Sequence, residues 1–250
     1  MHFCIHAFMH CFHSRITTMK IIEIKNLHKV YTDNSVSVNA VNGVDLTFDE
    51  GEFTAIVGPS GSGKTTVAYE LAEQAGNCCL ISQDNYYQSL PDGVDAKDWN
   101  FDDPAVIDLE HLACDLERLK RSEIVKGPHY IFSAHTRAPD TVTLKPAPVI
   151  IVEGLFLFLP KHLRNVFDLK IFIDVPLEVC LERRIARDVV ERGRTETMIR
   201  QRWVEQVNPM YRKYVEPTRA FADLMLAPEE RSTPERTKQI SKLLKYKEIL

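Results

Sequence analysis

The sequence predicts an α/β fold: a doubly wound parallel sheet flanked by helices, with a small antiparallel β-flap on its N-terminal side. Three observations lead to this prediction. From residue 53 onward, apolar runs alternate with stretches of helical periodicity, as in chains that form parallel sheets. Those runs are nearly continuous, which is typical of strands covered on both faces. Before them, residues 20–50 contain short apolar runs around Asn42-Gly43, a hairpin turn signal.

The predicted elements follow one another along the chain. In the flap, "IIEIK" (21–25) alternates with period two, and two short apolar runs lie within 38–48. "FTAIVG" (53–58) reads as a buried strand that leads into a glycine-rich loop, and a helix is expected over 64–76. Further strands are expected at 78–82, 148–154, 169–175 and 221–227, and further helices at 105–121, 177–192 and 196–206.

Two other segments complete the expected organisation. A small β-excursion, "HYIFS" (129–133) and "TVTLKP" (141–146), interrupts the alternation. Thr233-Pro234-Glu235 is a helix start and predicts a C-terminal helix over 233–247 that packs on the core. The expected units are a leader (1–18), a β segment (19–52), a core (53–230) and the C-terminal helix (231–250).

The leader has an unusual composition. It contains four histidines and two cysteines, so metal binding is an open alternative for it. A signal peptide fits poorly, because no basic residues precede the apolar part and histidines interrupt it. We expect a disordered or non-native leader, with Met19 as the true start.

The bulk composition limits the classes of partner. The 250 residues carry a formal net charge of −4, and 44% of them are hydrophobic. This balance is ordinary for a soluble globular protein and offers no reason to expect a nucleic acid or an anionic membrane as partner. No run approaches the roughly 18 apolar residues that span a bilayer. The six cysteines form no C-x-x-C pair, which favours a reducing, cytoplasmic location.

A phosphate-binding loop follows the first predicted core strand. The pattern G-x-x-x-x-G-K-[ST] is matched in full, with a strand before it and a helix after it. Glycines let backbone N–H groups converge on phosphate oxygens, and the helix N-terminus adds positive potential. Lys64 is expected to reach the β- and γ-phosphates, and the Thr65 hydroxyl to bind Mg²⁺. The predicted ATP-binding residues of this P-loop are Gly58, Pro59, Ser60, Gly61, Ser62, Gly63, Lys64, Thr65 and Thr66.

Residues 19–66 resemble the start of an ABC-transporter ATPase. The resemblance lies in "IIEIKNLHKVY" and "VNGVDLTFDEGEFTAIVGPSGSGKTT". In that family an aromatic residue at the position of Tyr31 stacks on adenine. The remainder of the sequence lacks the LSGGQ-type signature, the strand ending in Asp-Glu and the switch histidine that such an ATPase needs.

From about residue 67 to 230 the chain instead resembles the uridine–cytidine kinase family of P-loop enzymes. Several separate segments occur in the order that the family has, which is more specific than the P-loop alone. They are "LISQDNYY" (80–87), "NFDDP" (100–104), "PHYIFSAHTR" (128–137), "VEGLF" (152–156), "RRIARDVVERGRT" (183–195) and "QVNPMYRKYVEPTRAFAD" (206–223).

Two carboxylates lie at or just past the ends of predicted strands, where α/β sheets bind ligands. Asp84 follows the strand 78–82, and the resemblance implies that it is the catalytic aspartate that orients or deprotonates the nucleoside 5′-hydroxyl. Glu153 follows "VIIV" and is positioned to hold Mg²⁺ or its water.

Residues 181–202 hold seven arginines, no lysine and four acidic residues. The guanidinium pairs with phosphate oxygens through two parallel bonds, which a lysine cannot do. The segment therefore predicts an arginine-rich lid (183–202) that closes over ATP and excludes water, with Gly193 as a hinge or helix end. Arg187 is assigned to catalysis together with Asp84 and Lys64, and Arg192 to ATP binding.

The resemblance also implies an acceptor site. Asp102 and Arg184 would hold the ribose hydroxyls, while Tyr130 and His135 would meet the pyrimidine. The chain departs from the family at Ile131, where an aspartate is usual, and in a short linker between residues 87 and 100. The full implied set is Asp102, Tyr130, His135, Arg184, Arg194 and Gln201.

The function expected is ATP-dependent phosphorylation of the 5′-hydroxyl of uridine or cytidine. Three alternatives stay open: a P-loop kinase of another small hydroxyl acceptor, an ABC-type transport subunit, and a hybrid that binds nucleotide without transferring phosphate. The expected partners are ATP, Mg²⁺ and a small nucleoside, and the resemblance implies a homo-oligomer. Tyr31 is expected not to stack on adenine, because a body of this kind holds the base from its other side.

Overall fold

The computed structural model describes residues 20–33 and 36–227. The leader (1–18), with its alternative metal site, and the C-terminal helix over 233–247 lie outside the described residues. The strands are β1 (Lys20–Asp33), β2 (Val36–Asp49), β3 (Glu52–Val57), β4 (Cys78–Ser82), β5 (Val125–Ile131), β6 (Thr136–Leu144), β7 (Val149–Gly154), β8 (Leu169–Ile173) and β9 (Leu224–Leu226). The α-helices are α1 (Lys64–Ala75), α2 (Leu109–Lys120), α3 (Lys161–Arg164), α4 (Leu177–Arg192), α5 (Glu196–Arg202) and α6 (Asn208–Met210).

Five strands form the parallel sheet, in the order β4-β7-β3-β8-β9. All six residues of β3 and of β7 are buried, as their continuous apolar runs predict. Alternate residues of β3 enter different cores: Ala55 and Val57 pack with α2, whereas Ile56 packs with α1. Helices therefore cover both faces, and the predicted doubly wound α/β fold is confirmed.

The N-terminal flap is an antiparallel pair, but its turn is not where the sequence predicts it. β2 continues through Asn42-Gly43, and its pairing with β1 extends to Asp33 and Val36. Between the pairs Leu27–Val44 and Lys29–Val41, β2 has one residue more than β1. The turn prediction was wrong because this dipeptide lies at a β-bulge, where the same conformational freedom absorbs an extra residue within a long hairpin.

Three helical boundaries also differ from the sequence prediction. Residues 104–106 form a separate 3₁₀ turn, and α2 begins at Leu109, where the Asp108 carboxylate accepts a hydrogen bond from the N–H of His111 at 3.1 Å. The helix expected over 196–206 is longer, continuing beyond α5 and through α6 as π-helical turns up to Val215. Pro209 lies in this stretch and has no N–H to donate, so regular α-helical bonding cannot continue through it. A 3₁₀ helix occupies 216–221 and shortens the last strand to β9.

The β-excursion is a two-stranded antiparallel sheet, β5–β6, separate from the central one. Both strands begin earlier than predicted and end two residues before the predicted ends, and the chain reverses over residues 132–135, where His135 has φ +51°. Of the helices that the structure describes, none has the length and apolar character needed to cross a bilayer.

Candidate active site

A cleft of about 730 Å³ opens at the carboxyl ends of the parallel strands. Most of the site residues predicted from the sequence line it, although they come from distant parts of the chain. Those lining it are Ser60, Lys64, Thr65, Asp84, Asp102, Tyr130, His135, Arg184, Arg187, Arg192 and Arg194.

The P-loop connects β3 to α1 at the floor of this cleft. Gly61 and Gly63 have φ +88° and +92°, values that favour glycine. A Cβ atom on Gly61 would also overlap the backbone carbonyl of Cys180 in α4. The loop is thus packed directly on the helix that leads to the lid, and glycine is required at this contact.

Glu153, at the end of β7, faces the start of α1. It is 3% exposed, and its two oxygens accept hydrogen bonds from different hydroxyls. Thr65 Oγ1 donates to Oε2 at 3.1 Å, and Ser82 Oγ donates to Oε1 at 2.6 Å. A buried carboxylate beside a threonine hydroxyl is an oxygen donor set of the kind that Mg²⁺ prefers. The predicted metal pair, Thr65 and Glu153, therefore fits that ion.

Asp84 is positioned by a 3₁₀ turn that follows β4. The Ser82 hydroxyl accepts a hydrogen bond from the Asp84 N–H at 3.3 Å, so Ser82 contacts both the Asp84 backbone and Glu153. Burial and the nearby Glu153 raise the pKa of Asp84 to about 6, against the lowering effect of Lys64, Arg192 and Arg187. The carboxylate is thus suited to accept a proton near neutral pH.

Arg184 links the P-loop to the expected ribose site. It is 8% exposed, its Nη1 donates to Ser60 Oγ at 3.0 Å, and the same nitrogen lies 3.7 Å from Asp102 Oδ1. The two residues expected to hold the ribose hydroxyls are therefore adjacent, and both line the cleft beside the phosphate end.

Aromatic rings line the far side of the cleft. Tyr87, Phe101, Tyr130, Phe132 and His135 line it together, and successive ring centroids are 4.9–6.0 Å apart. The Tyr130 hydroxyl is buried and has no hydrogen-bond partner among the described residues. Burial and neighbouring arginines lower the pKa of His135, which favours its neutral form. Such a wall can stack on a base and hydrogen-bond to its edge.

The segment predicted to be the lid (183–202) comprises the end of α4, a short connection and α5. Gly193 ends α4 with φ +60°, as the sequence predicts. Arg187, Arg192 and Arg194 line the cleft, whereas Arg200 pairs on the outer surface with Glu182 and Glu196. The lid is thus a strongly cationic wall opposite the P-loop.

Eight predicted residues are not among those that line the cleft. Six of them belong to the P-loop or contact it: Gly58, Pro59, Gly61, Ser62, Gly63 and Glu153. The other two are Gln201 and Thr66. Gln201 is exposed and donates from Nε2 to Glu205 Oε1 at 3.0 Å, and it does not line the cleft in this structure. Thr66 follows Thr65 in α1 and is likewise not among the lining residues.

Several lining or supporting residues were missed. The aromatic residues Tyr87, Phe101 and Phe132 all lie in segments that carry the resemblance and could have been singled out there. Ser82 precedes Asp84 by two residues, the spacing of a side-chain cap, but its bond to Glu153 depends on β4 and β7 pairing.

Comparisons with known proteins identify relatives for most of the chain. The model of the Phosphoribulokinase / Uridine kinase family matches residues 53–232, so the match begins at β3, after the β1–β2 flap. A uridine kinase from Borrelia turicatae is 40% identical over 172 residues, 68% of this chain and 84% of that protein. A uridine kinase from Clostridium perfringens is 37% identical over 178 residues, 70% of this chain and 86% of that protein.

Solved structures show the same fold at lower sequence identity. A phosphoribulokinase from Rhodobacter spheroides superposes with a TM-score of 0.54 at 15% identity, over 70% of this chain and 69% of that one. At this identity the likeness concerns the fold alone. It confirms a parallel sheet of the P-loop kinase type.

Proposed function

Because this chain belongs to the phosphoribulokinase/uridine kinase family and is a phosphotransferase of that family, we propose that it transfers the γ-phosphoryl group of ATP to the 5′-hydroxyl of uridine or cytidine. One observation carries the proposal: a single cleft contains the P-loop, Asp84 and the Asp102–Arg184 pair. The naming of relatives at 37–40% identity as uridine kinases supports the choice of acceptor.

In the reaction, the acceptor hydroxyl lies between Asp84 and the terminal phosphate. Asp84 accepts the hydroxyl proton as the oxygen forms its bond to the γ-phosphorus. The bond between that phosphorus and the β,γ-bridging oxygen breaks, and ADP leaves with the electron pair. Lys64, Arg187 and Arg192 neutralise the charge on the oxygens of the phosphoryl group during transfer.

Thr65 and Glu153 are the residues that would hold Mg²⁺. The ion, when bound, supplies positive charge to the β- and γ-phosphate oxygens. Ser82 keeps one oxygen of Glu153 occupied, which orients the carboxylate toward α1. Ser82 therefore supports the metal pair through Glu153.

At the acceptor end, Asp102 and Arg184 bind the ribose, and the aromatic wall encloses the pyrimidine. A neutral His135 and the Tyr130 hydroxyl present hydrogen-bonding groups to the base edge. A base lacking matching groups would leave the buried hydroxyl unpaired, which disfavours that base.

The proposed substrates, ATP and a nucleoside, are consistent with an enzyme of the cytoplasm. The four cysteines within the described residues, Cys78, Cys79, Cys114 and Cys180, are free thiols, as expected in a reducing compartment. ATP and a nucleoside are the only partners that the proposal requires, and a homo-oligomer is compatible with it.

A panel of acceptors tests the proposed function directly. The full chain is incubated with ATP and Mg²⁺ and, in separate reactions, with uridine, cytidine, adenosine, guanosine and ribulose 5-phosphate. Monophosphate product is measured by chromatography. We expect UMP and CMP at the highest rates. Preferred turnover of ribulose 5-phosphate or of a purine nucleoside would refute the assignment.

The pH dependence of kcat/KM should show the ionisation of the Asp84 carboxyl group. Only the ionised carboxylate can accept the hydroxyl proton, so kcat/KM should fall as the pH falls through about 6, where Asp84 becomes protonated. An unperturbed aspartate would hold its activity down to about pH 4. Rates are measured between pH 4.5 and 8 with ATP and uridine both below their KM values, so that the profile reports the protein before its substrates bind. A plateau extending down to pH 4.5 would contradict this role.

Tyr31 is expected to make no contribution to ATP binding. It lies in β1, paired with Val38 of β2, in the flap that precedes the family match. The Tyr31→Ala variant should therefore keep the ATP KM within about twofold of the original, since a stacked base contributes roughly 1–3 kcal/mol, a change of fivefold or more. A tenfold rise in KM would assign the flap to the adenine site.

A further inference from the structure

The carboxylate of Asp188, in α4, lies among four arginines of the lid segment. Asp188 is fully buried and does not line the cleft, yet four cleft arginines surround it. Arg187 is bound most closely, with Nε and Nη2 at 2.8 and 2.7 Å from Oδ1. The others are Arg184, Arg192 and Arg194, at 3.7, 3.6 and 3.2 Å.

Each carboxylate oxygen of Asp188 faces two of these arginines, and the two pairs have different expected roles. Oδ1 faces Arg187 and Arg192, which are assigned to the phosphate end. Oδ2 faces Arg184 and Arg194, which are assigned to the nucleoside end. Arg184 in turn contacts Ser60 of the P-loop and Asp102. A chain of charged contacts therefore runs from one end of the cleft to the other through a group that neither substrate reaches.

We propose that Asp188 is a positioning residue that couples the two substrate sites, so that ATP binding tightens the binding of the nucleoside. The proposal rests on the proposed function, because it takes the donor and acceptor to be ATP and a nucleoside. It concerns a residue of the chain that binds neither of them.

The positive charges around Asp188 outnumber its single negative charge. Four guanidinium groups share one carboxylate, so they repel one another and none has that carboxylate to itself. Burial alone would raise the pKa of Asp188, but Arg187, Arg192 and Arg184 bring it below its ordinary value, which shows how strongly the arginines interact with the carboxylate.

A bound triphosphate changes this balance. Its oxygens draw Arg187 and Arg192 toward themselves and away from Oδ1. The charge of Asp188 then acts mainly on Arg184 and Arg194, which are held more firmly on Oδ2. Arg184 is thereby fixed beside Asp102 before the ribose arrives, and preorganisation of this kind increases affinity. By thermodynamic linkage, the nucleoside must tighten ATP binding by the same factor.

A merely structural ion pair would behave differently. If Asp188 only stabilised α4, its replacement would lower the unfolding temperature and weaken both substrates independently. Coupling instead predicts a change in the ratio of two dissociation constants measured on the same folded protein. That ratio reports the coupling as long as each variant is fully folded at the temperature of the measurement, which its Tm establishes.

The first measurement uses the unaltered full chain. The Kd of uridine is determined by calorimetry with and without saturating β,γ-methylene-ATP and Mg²⁺. We expect the analogue to lower the uridine Kd by at least about fivefold, the lower end of typical coupling between sites. An unchanged Kd would overturn the coupling while leaving the proposed function intact. If uridine bound under neither condition, both would be overturned.

The second measurement compares two variants. Asp188→Asn keeps the size of the side chain but removes its charge, and should reduce the coupling to less than about twofold while the analogue still binds. Glu182→Gln is the matched control: it removes a charge from an exposed residue of the same helix that pairs with Arg200, and should keep the full coupling. Equal coupling in the original protein and in Asp188→Asn would refute the proposal, and if that variant did not fold, an unchanged uridine Kd in the first measurement would still refute it.

Discussion

Replacing Asp84 by asparagine should lower kcat by about 10²–10⁴-fold, the range contributed by a general base, and leave the KM for ATP nearly unchanged. The substitution keeps the shape of the side chain and its backbone bond to Ser82 but removes the group that accepts the proton. Lys64 and the P-loop, which bind the triphosphate, are not altered. The measurement is steady-state phosphorylation of uridine with ATP and Mg²⁺.

The stability of the Asp84→Asn variant shows whether a loss of kcat comes from the chemistry or from unfolding. The pKa of Asp84 is raised in the folded protein, so ionising it at neutral pH opposes folding, and removing the charge should stabilise the protein or leave it unchanged. A lost kcat with an equal or higher Tm therefore reports chemistry rather than unfolding. Asp92→Asn, at an exposed position after the same turn, should behave as the original protein. Near-normal turnover of Asp84→Asn would remove Asp84 from the mechanism.

Replacing Gly61 by alanine should weaken ATP binding by about 10²-fold or more. The φ of +88° is strained for alanine by about 1–3 kcal/mol, and the new Cβ meets the backbone carbonyl of Cys180, which cannot rotate away. The P-loop must shift away from α4, and its N–H groups then no longer converge on the phosphates. The Kd of an ATP analogue is measured by calorimetry.

The Gly76→Ala variant distinguishes the effect of backbone strain from the effect of the close contact with α4. Gly76 ends α1 with φ +67°, but nothing lies within 4 Å of a Cβ added there. Its substitution should therefore cost only the backbone strain, seen as a lower Tm, while ATP binding stays unchanged. If Gly61→Ala bound the analogue as tightly as Gly76→Ala does, the close packing of the P-loop on α4 would not matter for binding.

The fold could be predicted from the sequence because the patterns that indicate it lie within short segments. Strands buried on both faces must be apolar throughout, so β3, β4, β7 and β8 could be read within two residues at either end. The glycines, Lys64 and Thr65 were recognisable because a phosphate cradle needs them at set spacings. Segments preceding the lid and within it carried the family resemblance, which the family match over 53–232 confirms.

The failed turn prediction, and the untested role of Gln201, both depend on long-range contacts. Asn42-Gly43 has the local chemistry of a turn, but pairing along β1 and β2 made it a bulge. Gln201 lies in the lid segment, yet the rotation of α5 turns it outward toward Glu205. Its role in binding stays a prediction. Which face of a helix points into a cleft depends on how the helix packs, and not on its own residues alone.

By itself, the sequence determined that this protein has a P-loop, a parallel sheet, two strand-end carboxylates and an arginine-rich lid, because each of these needs particular residues at short separations. Only the tertiary structure decided that Ser82 serves both Asp84 and Glu153, and that Asp188 holds four arginines with its two oxygens. The reason is physical: a hydrogen bond or ion pair depends on distances of about 3–4 Å, and the chain brings such groups together only after its strands have paired and its helices have packed.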